Sequence, residues 1–261
     1  ALAQNLSDIA AMGGTPTHAV IAIAIPPQWT PDDALALYSG LSELARQTHT
    51  DIIGGDTVRS IGPLTLTLTV FGRVSPAEML TRSGARPGDA LFVTGTLGRA
   101  AAGLRVLDDR RPIPPTLERA VHAQLQPEPR LDAARALATS GLVTAMMDLS
   151  DGVATDLHRL CKQSQVGVIV DAEAVPVDPV VTLACAWLAT PSSTHDPLTL
   201  ALTGGEDFEL LFTAPPAAEA ALRRCIAPLA LTRIGHMTHA TELLLSTDGQ
   251  TTPLPWGFTH F

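Results

Sequence analysis

From Leu64 to Val70 apolar and polar residues alternate without a break, Leu64-Thr65-Leu66-Thr67-Leu68-Thr69-Val70. That period of two describes a strand with one buried and one polar face. An earlier run, Ala19-Val20-Ile21-Ala22-Ile23-Ala24-Ile25, reads as a strand stopped by Pro26-Pro27. Between them, Thr30-Pro31-Asp32-Asp33 carries a helix-start signature: a Thr N-cap, Pro at the first position and acids in the first turn. Leu37, Leu41 and Leu44 then recur at helical spacing, which predicts a helix to about Gln47. The opening Ala1-Leu2-Ala3-Gln4-Asn5-Leu6 is also helix-like.

Pro76, Gly84, Pro87 and Gly88 punctuate the stretch between Arg73 and Asp89. A domain boundary is expected there, with domains at 1–74 and 75–261. Beyond it, Ala90 to Thr94 is a short strand that leads through Gly95-Thr96-Leu97-Gly98 into an Ala-rich helix. Five prolines between Arg110 and Pro129 suit a surface excursion around a short helix. Further strands are expected at Val166 to Val170, Glu209 to Phe212 and Glu242 to Leu245, with a helix after Gly152. Strands and helices that mix without strict βαβ alternation favour α+β over a doubly wound sheet.

The net charge of −9, with no basic stripe, argues against nucleic acid as a partner. No apolar run approaches the roughly 20 residues of a membrane span. No cationic leader with an apolar core opens the sequence, so a cytoplasmic location is expected. Cys161, Cys185 and Cys225 have no metal-finger spacing and read as reduced thiols. Only one of the 17 basic residues, Lys162, is a lysine, so phosphate chemistry here has to work without a lysine-centred loop. Thr94-Gly95-Thr96-Leu97-Gly98-Arg99 lacks the Gly-Lys-Ser/Thr ending of such a loop, and close strand–helix packing explains its glycines.

Four acid-bearing junctions remain: Asn5-Leu6-Ser7-Asp8, Gly54-Gly55-Asp56-Thr57, Asp148-Leu149-Ser150-Asp151-Gly152 and Gly204-Gly205-Glu206-Asp207. At the third, Gly152 permits a sharp turn into a helix whose first amides are free. Those amides can hold phosphate oxygens while Asp148 and Asp151 hold Mg²⁺, a hard cation suited to carboxylates, water and phosphate. Equally, Ser150 or Asp151 can serve as an ordinary helix cap. Gly54-Gly55-Asp56-Thr57 can place Asp56 on a metal, or be a tight turn with Asp56 bonded to its own backbone; alone, the turn is favoured. Asp8 alone is a solvated helix acid, and Glu206-Asp207 a loop-edge pair. Tyr38 suits core packing. Taken together, the four junctions suit a metal-bridged polyphosphate site, where catalysis is positioning and charge neutralisation.

These motifs, together with Leu80-Thr81-Arg82-Ser83-Gly84-Ala85-Arg86-Pro87-Gly88-Asp89 and the ending Gly257-Phe258-Thr259-His260-Phe261, occur in the order found in thiamine-monophosphate kinases. The chain resembles that family along essentially its whole length, and the Thr-Arg-Ser-Gly-Ala segment separates it from relatives sharing the ATP-binding fold. The resemblance implies a homodimer whose N-terminal α/β domains pair into a β-barrel-like centre, with an α+β second domain closing over ATP. It implies Asp8, Asp56, Asp148 and Asp151 as Mg²⁺ ligands, with Asp148 and Asp151 catalytic. Tyr38, Gly55, Asp56, Arg82 and Ser150 would contact ATP, and Glu206 and Trp256 the thiamine end of the substrate. Transfer from ATP to thiamine monophosphate would be direct and in line. Family members carry about 60 to 70 residues ahead of the first motif, an ordinary domain fraction. That segment holds further metal ligands, in Gly-Asp-Asp and Ser-Thr-Asp motifs, so a complete protein is expected to include it. Two other readings are a different ATP-dependent synthetase of the same superfamily and a truncated, non-catalytic nucleotide-binding or dimerisation module.

Overall fold

The computed structural model describes residues 1–190 and 194–257. The last residues of the expected C-terminal motif, 258–261, lie outside them. Helix α1 (Leu2–Ala11) leads into strand β1 (Thr15–Ile25), helix α2 (Pro31–Gln47) and strands β2 (Asp51–Arg59) and β3 (Thr65–Arg73). These strands form a sheet in the order β2-β1-β3, with β1 parallel to β2 and antiparallel to β3. The N-cap expected at Thr30 is present and forms a full capping box: its hydroxyl accepts from the Asp33 amide, and Asp33 accepts from the Thr30 amide at 2.8 Å. Leu2, Leu6, Ala19, Ile21, Ile23, Leu41 and Ala45 make the core of this unit, with Tyr38 packed against it.

Gly54-Gly55-Asp56-Thr57 is not a tight turn but the middle of β2. A side chain at Gly55 would place its Cβ 1.8 Å from the Ile21 carbonyl oxygen, so glycine there lets two strands approach. A register shift between Ala19 and Val20 accompanies this contact, and the glycine pair hides the strand's alternation.

Residues 74–89 connect the first sheet to the second. Chain order continues with β4 (Ala90–Thr94), α3 (Arg99–Asp109), α4 (Glu118–Leu125), α5 (Leu131–Ser140), β5 (Ala145–Asp148) and α6 (Val153–Ser164). Then come β6 (Gly167–Asp171), α7 (Pro179–Leu188), α8 (Pro197–Thr203), β7 (Leu210–Ala214), α9 (Glu219–Cys225), β8 (Leu231–Thr238), β9 (Leu243–Thr247) and β10 (Gln250–Pro253). The second sheet runs β10-β9-β6-β8-β4-β7-β5, antiparallel except for the β6–β9 pair. The α+β expectation therefore holds.

Strands β4, β5 and β7 of the second sheet are buried on both faces. Leu91 and Val93 of β4 join one core with Val153, Leu157 and Leu160 of α6. Ala90 and Phe92 join the opposite core with Leu137 of α5 and Leu222 of α9. Phe92 stacks on Phe212 of β7 with ring centroids 5.4 Å apart. Each such side chain contributes about 1.5–3 kcal/mol when fully removed from water. Two covered faces explain why β4, β5 and β7 are short, continuous apolar runs. They also pack in place the end of β5 and the start of β7, where two acid-bearing loops attach.

Candidate active site

Asp148 ends β5, and Ser150-Asp151-Gly152 turns the chain into α6. The helix N-cap is Gly152, with φ of +96° and no side-chain cap, so neither Ser150 nor Asp151 fills that role. The Ser150 and Asp151 amides are also not free for phosphate. Both donate to Oδ2 of Asp156, at 3.1 and 3.0 Å. Asp156 is fully buried on α6, and burial pushes its carboxyl up to about 7, against the lowering effect of the Asp151 amide and Arg159. Arg159 donates to Asp156 Oδ1 at 2.7 Å and forms an ion pair with the Asp151 carboxylate. Asp156 was not anticipated from sequence; its signal is an acid five residues beyond Asp151 on the inward face of α6.

Asp148 is buried, and its Oδ2 accepts a 2.6 Å hydrogen bond from the Ser7 hydroxyl of α1. The next residue of α1, Asp8, acts on the same carboxyl. Burial raises the carboxyls of both, and the Asp8 charge raises Asp148 further, while Arg82 lowers both. Asp8, Arg82, Thr81, Ser83, Met12 and Met146 line a cleft of about 350 Å³. Asp8, Asp148 and Arg82 therefore meet, although they come from α1, β5 and the connecting segment.

The Gly204-Gly205-Glu206-Asp207 loop lies backbone to backbone against this turn. Glu206 N–H donates to the Ser150 carbonyl and Phe208 N–H to the Leu149 carbonyl, both at 2.9 Å. A Cβ on Gly205 would fall 2.4 Å from the Ser150 oxygen, and one on Gly152 2.6 Å from the Gly204 oxygen. Only glycine allows the two loops this proximity. Glu206, at φ of +69°, accepts from Gln4 of α1 at 3.3 Å and from Gln124 of α4. Asp207 turns the other way. Its carboxylate accepts from the amides of Gly98 (2.6 Å) and Ala100 (3.2 Å) at the start of α3, and burial raises it to about 7. Beneath it, buried Glu209 accepts from Thr94 and from both ends of the Arg130 guanidinium. Arg99, Arg119, Arg130, His122, Glu206 and Asp207 line a second cavity of about 220 Å³.

Other residues singled out in the sequence stand apart from this cluster. Asp56 is exposed on β2 and accepts from the Thr57 amide at 2.8 Å. Gly55 is beside it, and Tyr38 packs on the first sheet's core. Trp256 is largely exposed, its ring edge-on to His158 of α6 with centroids 4.7 Å apart. Among the described residues no group of three or more His, Cys, Asp or Glu side chains is placed to hold a metal on its own.

The family model of the AIR synthase related protein N-terminal domain matches residues 1–74, and that of the C-terminal domain matches 86–245. The thiamine-monophosphate kinase of Bacillus subtilis (strain 168) is 36% identical over 270 residues, which take in 100% of this chain and 80% of that protein. The thiamine-monophosphate kinase of Escherichia coli (strain K12) is 38% identical over 269 residues, covering 100% of this chain and 78% of that protein. Among solved structures, thiamine-monophosphate kinase from Stenotrophomonas maltophilia K279a superposes with a TM-score of 0.84 at 34% identity, over 96% of this chain and 78% of that one. AaThiL complexed with AMPPCP and TMP superposes with a TM-score of 0.86 at 28% identity, over 100% of this chain and 79% of that one. A hydrogenase maturation protein HypE in complex with ATP shares the fold, with a TM-score of 0.81 at 19% identity, over 99% of this chain and 78% of that one.

Proposed function

The chain belongs to the thiamine-monophosphate kinase family, and from that premise we propose how its residues perform the family's reaction. It phosphorylates thiamine monophosphate with ATP as co-substrate, in thiamine diphosphate biosynthesis. The approach of buried Asp148 to Asp8 and Arg82, which line one cleft, carries the assignment of the phosphoryl-transfer end.

The donor set there fits a divalent cation. Two carboxylates close enough for the Asp8 charge to raise the proton affinity of Asp148 present hard oxygen ligands, and a cation would remove their repulsion. Asp8, Asp148 and Asp151 would hold Mg²⁺ at this end, and Asp56 from β2. Bound there, Mg²⁺ neutralises the polyphosphate and the charge shifting in transfer. The chain's own groups position the reactants. Arg82 offers a cation to phosphate oxygens from across the cleft, and Ser150, locked through its backbone, presents its hydroxyl toward the nucleotide. Ser7 holds the Asp148 carboxylate in one orientation. With the reactants aligned, a phosphate oxygen of thiamine monophosphate attacks the ATP γ-phosphorus in line as its bond to the β–γ bridging oxygen breaks and ADP leaves, and no phosphoenzyme forms.

Glu206 marks the far end of the substrate. Thiamine ends in a cationic thiazolium and an aminopyrimidine, a positive ring and an N–H donor. The Glu206 carboxylate suits both, and beside it Oε1 of Gln124 is buried with no hydrogen-bond partner, a second acceptor. Trp256 supplies an exposed aromatic face for a ring.

The protein acts as a homodimer, a reading supported by Ile53, Val58 and Phe71, which are exposed on the first sheet. In that assembly Tyr38, Gly55 and Asp56 complete the ATP site from the N-terminal domain, residues 1–74, while residues 75–261 form the closing domain. No described helix is long and apolar enough to cross a membrane, and the proposed location is the cytoplasm.

The test is formation of thiamine diphosphate by the full-length protein from ATP, Mg²⁺ and thiamine monophosphate. Asp151→Asn and Asp56→Asn should each abolish it. Near-normal turnover in both variants would overturn the metal roles; no product from the unaltered protein would overturn the function.

A further inference from the structure

We propose that Asp156 is a positioning residue for the kinase reaction, fixing through one buried carboxylate both the Asp148–Asp151 turn and the loop that carries Glu206. The inference rests on the kinase reading above. Successive backbone N–H groups that converge on one point form an anion seat. Here the seat is made by Ser150 and Asp151, and the anion is the protein's own: Oδ2 of Asp156 takes both amides, at 3.1 and 3.0 Å. Its other oxygen is held by Arg159 at 2.7 Å, and the same guanidinium grips the Asp151 carboxylate. The carboxylate is thus bonded on both oxygens and fully buried, with no acceptor capacity directed at a ligand.

With the amides of Ser150 and Asp151 turned inward, the Ser150 carbonyl faces the neighbouring loop and receives the Glu206 N–H at 2.9 Å. The Leu149 carbonyl receives Phe208 N–H at the same distance. Asp156 therefore sets the backbone from which Asp151 and Ser150 project, and through Ser150 it sets where Glu206 begins. Without it, two amides lose their buried acceptor and the Arg159 guanidinium loses its Asp156 partner, so the turn that carries Asp151 is no longer fixed from below.

The test compares the full-length protein with Asp156→Asn. Asparagine can keep its one oxygen on the amides but then turns an NH₂ donor toward Arg159. The expected result is a kcat lower by roughly tenfold or more, the scale of one lost charge-assisted hydrogen bond, with the KM for ATP within about threefold of the original. Hydrogen exchange should accelerate only in peptides spanning residues 148–152 and 204–207. Arg159→Met, which leaves the amide contacts intact, should show the same local signature more weakly, and it decides the question if Asp156→Asn does not fold. A kcat within about twofold of the original, or exchange that accelerates evenly across α6 and the second sheet, would overturn the proposal. The exchange measurement needs no turnover, so failure of the unaltered protein to make thiamine diphosphate would count against the kinase reading and not against this one.

Discussion

Replacing Glu209 by glutamine should destabilise the protein far more than its single-atom change suggests. Glu209 is fully buried at the entry to β7. Its Oε2 accepts from Thr94 at 2.7 Å and from Arg130 Nε at 3.0 Å, and its Oε1 from the other end of the Arg130 guanidinium at 2.7 Å. Arg99 stands 3.6 Å away. Glutamine retains one acceptor oxygen, but turns an amide donor toward a guanidinium that is itself mostly buried. Breaking a buried pair from one side costs about 3–5 kcal/mol. Arg130 keeps its contact with Glu128 at 3.1 Å, which places the expected loss near the low end, about 3 kcal/mol.

For a chain of this size each kcal/mol lowers the melting temperature by about 2–4 °C, so a fall of roughly 6–12 °C is expected in calorimetry. A double-mutant cycle with Arg130→Met makes the test specific. Arg130→Met alone leaves the carboxylate short of its main cation, so the two losses should not add, and a coupling of about 1–3 kcal/mol is expected. A loss below about 1 kcal/mol in Glu209→Gln, or additivity within about 0.5 kcal/mol, would refute the reasoning. Either result would mean that the buried pair is compensated by relaxation elsewhere.

Asp207 gives a pH signature. Its folded carboxyl titrates at about 7, above its unfolded value, so the stability it contributes is fully present below about pH 4 and is lost as pH rises through 7; urea melts should show the unaltered protein losing up to about 4 kcal/mol relative to Asp207→Asn across that window, and parallel curves would contradict it. Ser7→Ala removes the 2.6 Å hydrogen bond to Asp148, so the Mg²⁺ concentration for half-maximal turnover should rise about tenfold; an unchanged Mg²⁺ curve would remove Asp148 from the metal site. Gly152→Ala should lower stability by at least about 1–3 kcal/mol in thermal melts, because φ is +96° and the new Cβ would meet the Gly204 oxygen at 2.6 Å; a melting temperature within a degree or so of the original would show that the two loops are free to separate.

Elements with one partner face were readable from the sequence. Helix α2 runs from Pro31 to Gln47 as its cap and leucine spacing indicate, and β3 contains the Leu64–Val70 alternation except for its first residue. Strands shaped by irregular pairing were not readable. In β8 the buried positions Leu231, Ile234 and Met237 fall three apart, a helix-like interval. The register of β4 against β8 shifts at Leu91/Phe92, leaving Ile234 without an opposite residue. In β2 the glycines that admit the Ile21 backbone also erase the apolar alternation. β5 is four residues buried on both faces, a pattern no period distinguishes from a helix fragment.

At the site, the positions of the acids were visible but their directions were not. An Asp or Glu beside glycine looks the same in sequence whether it faces a ligand or a neighbouring amide. Folded, each of the two interlocked loops sorts into both kinds. Asp148 and Asp151 stand at the turn while Asp156, one helical turn into α6, anchors it from below; Glu206 reaches toward α1 and α4 while Asp207 caps α3. The inward acids take up the amides of Ser150, Asp151, Gly98 and Ala100. In the proposed site, nucleotide charge would be met at this end by side chains and cations, with Arg82 and the Asp8–Asp148 pair in place of a glycine-rich cradle of N–H groups. Glycine's part at Gly152 and Gly205 is to let one loop's carbonyls receive the other's N–H groups, so that the Asp148–Asp151 turn and the Glu206 loop, the two ends of the proposed site, are set by a single piece of backbone.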